Sequence, residues 1–291
     1  MKIFIDGEFY PEAEAKISVF DHGLLYGDGV FEGIRAYNNR VFKLSEHIDR
    51  LYDSAKAILL EIPYTKEELS EAVVETCRQN GMKNGYVRLV ITRGPGYLGL
   101  SPDRCKKPTV IIIAALLELY PKEFYENGLA VITAPTTRTN PAALNPAIKS
   151  LNYLNNIMAK VEGSLAGVHE VIMLNSEGLV AECSGDNIFV IKNGVMRTPP
   201  IYMGALGGIT RQTIVDLADQ IGVPFQEQPM TRYDLFVSDE MFLTGTGAEV
   251  IPVVKVDGRS IGDGSVGEKT KQFMTAYSEL TQTDGPVILS E

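Results

Sequence analysis

The stretch AIKSLNYL, residues 147–154, follows a segment interrupted by Pro141 and Pro146 and opens a helical pattern. It predicts a helix that carries Lys149 near its start. Most lysines are solvent-exposed, and this is the default interpretation of Lys149. A buried lysine amine can instead form a Schiff base with a carbonyl group. The stretch itself fits both roles, so other segments of the sequence are needed to distinguish a solvent-exposed lysine from one that forms a Schiff base.

The composition is that of an ordinary globular protein. Of the 291 residues, 45% are hydrophobic and 22% are charged, and the formal net charge is −10. Such an acidic chain is not expected to bind nucleic acid or an anionic membrane. Its three cysteines and three histidines show neither disulfide nor zinc spacing, so we expect no metal and a reducing cytoplasm. The apolar runs at residues 2–5 and 110–117 are too short for a signal peptide or a membrane helix, which needs about 20 residues.

The hydrophobic periodicity predicts an α+β protein with mixed sheets rather than a regularly alternating parallel sheet. Helices are predicted over residues 45–60, 65–81, 210–222 and 269–280. Strands are predicted over residues 86–92, 109–119, 129–133, 171–175, 187–192, 241–244 and 250–256. Asp6-Gly7 and Asn193-Gly194 are typical of tight hairpin turns, which need positive φ. Thr65 and Glu68 have the spacing of a capping box.

A polar segment at residues 118–128 predicts a boundary between two domains. A small N-terminal α/β domain is expected at residues 1–119, followed by a linker at residues 120–130. The larger C-terminal domain, residues 131–291, is expected to carry Lys149.

The segment GPGYLG, residues 94–99, fits the G-x-G-x-x-G pattern of a dinucleotide site and follows a predicted strand. Glu118 lies about twenty residues further on, where an acid that binds ribose would be expected. The pattern must open a helix that receives the pyrophosphate. Pro102 and Pro108 leave no room for that helix before the next strand. We therefore predict a loop between strands and no dinucleotide site.

Two glycine-rich segments are candidates for binding an anion or another ligand. GALGGITR, residues 204–211, runs into a predicted helix, whose first N–H groups lack partners at the positive end of the helix dipole. TGTGA, residues 244–248, follows an apolar strand, and its small side chains permit close approach of a ligand. Each segment also fits a structural turn, with Thr210 as the helix cap in the first case.

Two charged residues also allow a structural and a functional interpretation. Glu182, among small residues between two predicted strands, is either an exposed acid or a buried carboxylate that pairs with a protonated ring nitrogen. Asp186 competes with it for the second role. Arg50 has Asp49 and Asp53 beside it, which favours a surface ion pair.

Aromatic residues in the first third of the chain suit a pocket wall. Tyr86 and Arg88 are two positions apart on one strand and therefore share a face, which is either solvated or binds an anion. The segment YGDGVFEGIRAY, residues 26–37, places aromatic residues beside glycines, as in an apolar pocket or a bulged strand.

Six segments together resemble the class IV pyridoxal-phosphate aminotransferases, most closely the branched-chain amino-acid aminotransferases. They are YGDGVFEGIRAY from residue 26, EHIDRLYDSAK from 46, IKSLNYLNN from 148, AECSGDNIF from 181, GALGGITR from 204 and FLTGTGAEVIPV from 242. The resemblance implies the two-domain, D-amino-acid-aminotransferase-like α+β fold with its active site between the domains. It also implies pyridoxal 5′-phosphate as the cofactor and a homodimer or larger oligomer.

The resemblance assigns roles residue by residue. It implies that Lys149 is the catalytic residue that binds the cofactor covalently, that Glu182 faces the pyridine nitrogen, and that Tyr153 bonds the ring oxygen. The other cofactor-binding residues, most of them around the phosphate, would be Arg50, Leu206, Gly208, Ile209, Thr210 and Thr246. The substrate-binding residues would be Tyr26, Phe31, Gly33, Tyr86, Arg88, Gly247 and Ala248.

The implied reaction is a ping-pong transfer of the amino group of Leu, Ile or Val to 2-oxoglutarate, with Lys149 moving the Cα proton. Its partners would be amino acids and 2-oxo acids. Three alternatives stay open on the same fold: a D-amino-acid aminotransferase, an (R)-amine transaminase and an aminodeoxychorismate lyase.

Overall fold

The computed structural model describes residues 1–116 and 120–289 and divides the chain into two compact units. Unit 1 comprises Met1–Leu117, Ile148–Asn152 and Thr281–Glu291. Unit 2 comprises Glu118–Ala147 and Tyr153–Leu280. The predicted boundary at residue 119 and the predicted end of the strand over residues 109–119 lie outside the described residues.

Unit 1 is built on a six-stranded antiparallel sheet with the order β2-β1-β6-β5-β3-β4. Its strands are β1 (Lys2–Ile5), β2 (Glu8–Pro11), β3 (Gly29–Tyr37), β4 (Arg40–Val41), β5 (Gly85–Thr92) and β6 (Thr109–Ala115). Its helices are α1 (His22–Tyr26), α2 (Leu44–Ala57) and α3 (Lys66–Gln79). Helices α2 and α3 pack against the sheet and close one hydrophobic core with it.

The hairpin turn, the helix cap and the loop that the sequence predicts in unit 1 are all present. The β1–β2 hairpin turns at Asp6-Gly7, and both residues have positive φ, 52° and 103°. Helix α3 begins with a capping box, in which Thr65 Oγ1 accepts from the Glu68 N–H and the Glu68 carboxylate accepts from the Thr65 N–H. Between Thr92 and Thr109 the described chain forms a loop with a single 3-10 turn at Pro102–Arg104, which confirms the predicted loop.

Unit 2 is built on a nine-stranded mixed sheet with the order β12-β11-β10-β13-β14-β7-β8-β9, and β15 pairs with β14. Its strands are β7 (Leu129–Thr133), β8 (Glu170–Leu174), β9 (Val180–Cys183), β10 (Asn187–Lys192), β11 (Val195–Thr198), β12 (Phe225–Glu227), β13 (Glu240–Gly245), β14 (Glu249–Val256) and β15 (Arg259–Ser260). Its helices are α4 (Lys122–Asn127), α5 (Leu154–Leu165), α6 (Ile209–Ile221), α7 (Arg232–Phe236) and α8 (Glu268–Thr281). The sheet contains both parallel pairs, such as β7 with β8, and antiparallel pairs, such as β8 with β9, so the predicted mixed sheet is confirmed.

The surroundings of Lys149 differ from the sequence prediction in two ways. Helix α5 begins only at Leu154, so Lys149 lies in the non-helical segment before it. That segment belongs to unit 1, whereas the prediction assigned Lys149 to the C-terminal domain. The reason is a pair of backbone hydrogen bonds to β3: Leu151 donates to Gly29, and Phe31 donates to Lys149.

The chain differs from the predicted domain layout at two further places. The chain end from Thr281 joins unit 1, because Val41 donates its N–H to Pro286 and Ile288 donates to Asn39. The predicted linker contains helix α4, and Gly128, with φ 80°, is the residue that caps its C-terminus. Among the described residues, no helix is long and apolar enough to cross a membrane.

Candidate functional site

In unit 1, the backbone of Lys149 is held from two sides. Its N–H donates to Ser54 Oγ on α2 at 3.1 Å, and its carbonyl accepts from the Phe31 N–H on β3 at 3.0 Å. Its Nζ lies 4.7 Å from the centre of the Phe31 ring. Lys149 is therefore a half-buried residue directed at an aromatic ring, rather than a solvated helix residue.

Strands β3 and β5 bring four of the predicted substrate residues together. The Arg88 guanidinium lies 4.7 Å from the centre of the Phe31 ring and 5.3 Å from that of Tyr86. Gly33 is opposite Arg88 in the strand register, and a Cβ at Gly33 would overlap the Tyr86 hydroxyl. The predicted common face of Tyr86 and Arg88 is thus present. An aromatic wall with cations beside it suits a ligand that has both an apolar group and a carboxylate.

Tyr26, a further predicted pocket residue, is placed differently. It is the last residue of α1, 38% exposed, and its ring packs edge-on against His22 at 5.0 Å. Its described ring contact is with α1 and not with the wall formed by Phe31 and Arg88.

Arg50 is not the surface residue that its neighbours in the sequence suggest. Its Nε and Nη2 donate to the two oxygens of Glu32 at 2.8 and 2.7 Å, and Asp49 pairs with Lys66 instead. His47 Nδ1 lies 2.7 Å from the same Glu32 carboxylate. Burial opposes the charge of Glu32, but Arg50 and His47 outweigh it and lower the pKa of Glu32 to about 2.

In unit 2, Glu182 on β9 is a buried carboxylate that accepts hydrogen bonds from three donors. Oε1 accepts from Arg138 Nη2 at 2.5 Å. Oε2 accepts from Asn187 Nδ2 at 3.1 Å and from the Leu206 N–H at 2.9 Å. Because one partner is a guanidinium, Glu182 is stabilised as the ionised form and fixed in direction. This is the state required to bind a protonated ring nitrogen.

Arg138 is a candidate functional residue that the sequence reasoning missed. It is 7% exposed, and besides Glu182 it donates to the Gly204 carbonyl at 3.0 Å and to Asn156 Oδ1 at 2.9 Å. Arg138 thereby connects the Glu182 carboxylate to the glycine turn that begins at Gly204. Arg138 lies in a Thr- and Asn-rich loop, 44 positions from Glu182, so no local pattern marks it.

Asp186, the competing acid, belongs to a different group of side chains. Its Oδ2 lies 3.4 Å from the hydroxyl of Tyr120, which is also 3.2 Å from Glu170. Burial, together with the charge of Glu170, raises the pKa of Asp186 to about 8. Asp186 is therefore protonated at neutral pH, and Glu182 is the better candidate for pairing with a cation.

The glycine turn leads into α6 without a side-chain cap. Gly208 is the N-cap residue and has ordinary negative φ, so its glycine is explained by close packing: a Cβ there would overlap Asn187 Oδ1. Thr210 lies within the first turn and is buried, which contradicts its interpretation as the cap. The first-turn N–H groups beside Ile209 suit a dianionic phosphate.

The segment 244–248 is the turn between β13 and β14, where Gly245 pairs with Glu249. Thr246 and Gly247 are half-buried, while Ala248 is fully buried and its carbonyl accepts from the Tyr125 hydroxyl. The structural interpretation of this segment is therefore confirmed, and its predicted role in binding remains a prediction.

Tyr153 is the residue immediately before α5. It is half-buried, and its carbonyl accepts the Ile157 N–H. Within residues 1–116 and 120–289 no group of His, Cys, Asp and Glu side chains is arranged to hold a metal ion.

Comparison with known proteins adds a consistent set of relatives. Residues 29–256 match the family model described as amino-transferase class IV. A Methanocaldococcus jannaschii protein, provisionally named a branched-chain-amino-acid aminotransferase, is 50% identical over 291 residues, 100% of both chains. The Escherichia coli branched-chain amino acid aminotransferase structure has a TM-score of 0.94 at 35% identity and covers 98% of this chain and 96% of its own. The Thermobaculum terrenum branched-chain amino acid aminotransferase, solved in its PLP-bound holo-form, has a TM-score of 0.86 at 28% identity, covering 97% and 94%.

Proposed function

We propose that this chain, which belongs to the class IV aminotransferase family, transfers the amino group of a branched-chain L-amino acid to 2-oxoglutarate. It is a transaminase that uses pyridoxal 5′-phosphate. The relatives that support the branched-chain activity match this chain over nearly its full length. The two half-reactions follow a ping-pong order.

The observation that carries the substrate class is the wall formed by Phe31, Tyr86 and Arg88 beside Lys149. Its aromatic rings suit an aliphatic side chain, whereas the nearby cations suit carboxylates. We assign Arg88 to the second carboxylate of 2-oxoglutarate. The same wall would then accept both substrates, as a ping-pong enzyme requires.

The donors and acceptors of the described residues fit the cofactor's chemistry. When bound, pyridoxal phosphate supplies an electron sink for the carbanion formed at Cα. Glu182, kept ionised by Arg138, is assigned to the protonated ring nitrogen, and Tyr153 to the ring oxygen. The phosphate is assigned to Arg50, Leu206, Gly208, Ile209, Thr210 and Thr246.

Lys149 is assigned two tasks. It attaches the cofactor, and its freed amine takes the Cα proton of the donor and later delivers a proton to Cα of the new amino acid. The Ser54 and Phe31 hydrogen bonds fix its backbone, so only the side chain moves between the two tasks.

Chemical trapping tests the assignment of Lys149. Borohydride reduction of the protein with pyridoxal phosphate should fix the label on Lys149, identified by peptide mass spectrometry. Lys149→Ala should lose the label and the activity, while the exposed-residue control Lys66→Ala keeps both. A label on another lysine would refute the assignment.

A donor panel tests the substrate class. L-Leu, L-Ile and L-Val should react with 2-oxoglutarate, whereas D-Ala and an (R)-amine should react poorly. Strong D-Ala turnover with inactive L-Leu would overturn the proposed specificity. Release of pyruvate from aminodeoxychorismate without any 2-oxo-acid acceptor would indicate a lyase instead.

We also propose a cytoplasmic homodimer or larger oligomer. Helix α5 carries five large apolar side chains on its outer surface, 44% to 85% exposed, at helical spacing: Leu154, Ile157, Met158, Val161 and Leu165. A contiguous exposed apolar surface is typical of a protein interface. Light scattering of Val161→Lys should show a smaller particle than the native chain, and an unchanged mass would argue against this surface.

A further inference from the structure

Glu32, His47 and Arg50 form a group of polar side chains in unit 1. The proposed reaction gives a role to Arg50 but none to Glu32 or His47. Glu32 on β3 is fully buried, and His47 on α2 is 2% exposed. A buried ion pair is often no more stabilising than apolar residues of similar volume. Stability therefore does not by itself explain a charged residue at position 32, between the predicted substrate residues Phe31 and Gly33.

The geometry of the group fixes one guanidinium. Glu32 Oε1 accepts from Arg50 Nε at 2.8 Å, and Oε2 accepts from Arg50 Nη2 at 2.7 Å. Two parallel bonds from a planar fork set both the position and the plane of the guanidinium, which a single bond would not do. His47 Nδ1, 2.7 Å from Oε2, holds the carboxylate from a second direction.

Helix α2 connects this group to Lys149. His47, Arg50 and Ser54 are three and four positions apart and so lie on one face of the helix. Ser54 accepts the hydrogen bond from the Lys149 backbone at 3.1 Å. The helix that presents Arg50 therefore also holds the backbone of Lys149, one turn away. The orientation of the guanidinium then decides where a phosphate can lie relative to Lys149.

We propose that Glu32 is a positioning residue: it fixes the guanidinium of Arg50 in the orientation that binds the cofactor phosphate. This inference rests on the proposed function, in which Arg50 binds that phosphate. Glu32 itself touches neither cofactor nor substrate in this scheme. Glu32 affects cofactor binding only by orienting Arg50, and Arg50 contacts only the phosphate of the cofactor.

The test compares two ligands that differ only in the phosphate. Apoprotein is titrated with pyridoxal 5′-phosphate and with pyridoxal, for the native chain, Glu32→Gln, Arg50→Gln and the double variant. We expect Glu32→Gln to weaken pyridoxal phosphate binding roughly 10-fold to 100-fold, the effect of one misaligned charged hydrogen bond. Pyridoxal binding should stay at the native level. The double variant should bind pyridoxal phosphate no more weakly than Arg50→Gln, because Glu32 acts through Arg50.

Matched controls separate positioning from folding. Asp49→Asn removes an exposed carboxylate next to Arg50 on the same helix and should leave both affinities unchanged. Thermal unfolding of each apoprotein checks that it is folded. If Glu32→Gln does not fold, Glu32→Asp keeps the charge but shortens its reach, and the same selective loss of pyridoxal phosphate affinity is expected.

Three results would overturn the inference. They are native pyridoxal phosphate affinity in a folded Glu32 variant, equal losses for both ligands, and additive losses in the double variant. Failure of the proposed function looks different: the native chain would not form a borohydride-stable link at Lys149, or Arg50→Gln alone would leave both affinities unchanged.

Discussion

Glu32 in unit 1 and Asp186 in unit 2 are both buried carboxyl groups, yet they have opposite charge states. Glu32 faces Arg50 and His47, and these lower its pKa to about 2 against the effect of burial. Asp186 lies near Glu170 and the Tyr120 hydroxyl, and burial with the charge of Glu170 raises its pKa to about 8. The difference shows that the partner, not the depth of burial, decides whether a buried acid is ionised.

The largest loss of unfolding free energy is expected when Glu32 loses its partner Arg50. Arg50→Met leaves a buried carboxylate without its bidentate partner, which costs about 3–5 kcal/mol of unfolding free energy. Urea unfolding of the apoprotein at pH 7 measures it. Lys66→Met breaks an exposed ion pair between Lys66 of α3 and Asp49 of α2, and it should have a much smaller effect. Equal losses in the two variants would mean that Glu32 is not ionised.

Acid titration tests the ionised state of Glu32 directly. The pKa of Glu32 is lowered from 4.5 to about 2 in the folded protein, so its stabilisation is present above pH 4.5 and is lost as the pH falls toward 2. Glu32→Gln should flatten this part of the stability curve by about 2–3 kcal/mol. Unfolding free energies between pH 6 and pH 3 measure the slope. An unchanged slope would contradict the lowered pKa.

Asp186 should show the opposite dependence. Because its pKa is raised from 3.8 to about 8, the unfolded chain releases this proton first, and stability falls as the pH rises between these values. Asp186→Asn removes that decline, so its stability relative to the native chain should improve by about 2–3 kcal/mol from pH 5 to pH 7. The control Asp103→Asn, on an exposed loop, should show no such trend.

The smallest change in unfolding free energy is expected from removing the Tyr120 hydroxyl, which lies near Asp186 and Glu170. One Tyr120 proton cannot be donated to both carboxyl groups, which lie 3.4 and 3.2 Å away. Tyr120→Phe should cost about 0.5–1.5 kcal/mol at pH 6. It should also move the alkaline decline to higher pH, because the hydrogen bond from Tyr120 lowers the pKa of Asp186. The exposed Tyr233→Phe is the control, and a shift of the decline to lower pH would contradict the assigned hydrogen bond.

Several parts of the candidate site were predictable because their signals are local. The common face of Tyr86 and Arg88 follows from the period of a strand, and the start of α6 near Thr210 follows from the glycine turn. Other parts were not predictable. Lys149 has a helical pattern after it, yet its segment is not helical because it bonds to β3, more than one hundred positions earlier in the chain.

The family motifs, the hairpin turns and the capping box at Thr65 could be identified from the amino-acid order, because each depends on residues only a few positions apart. The hydrogen-bond partners of Glu182 and Asp186 and the pairing of Arg50 with Glu32 required the folded chain. Burial and charge state arise from side chains that are distant in sequence and adjacent in space. Arg138 illustrates this, since its partner Glu182 lies 44 positions away and no pattern near either residue reveals the pair.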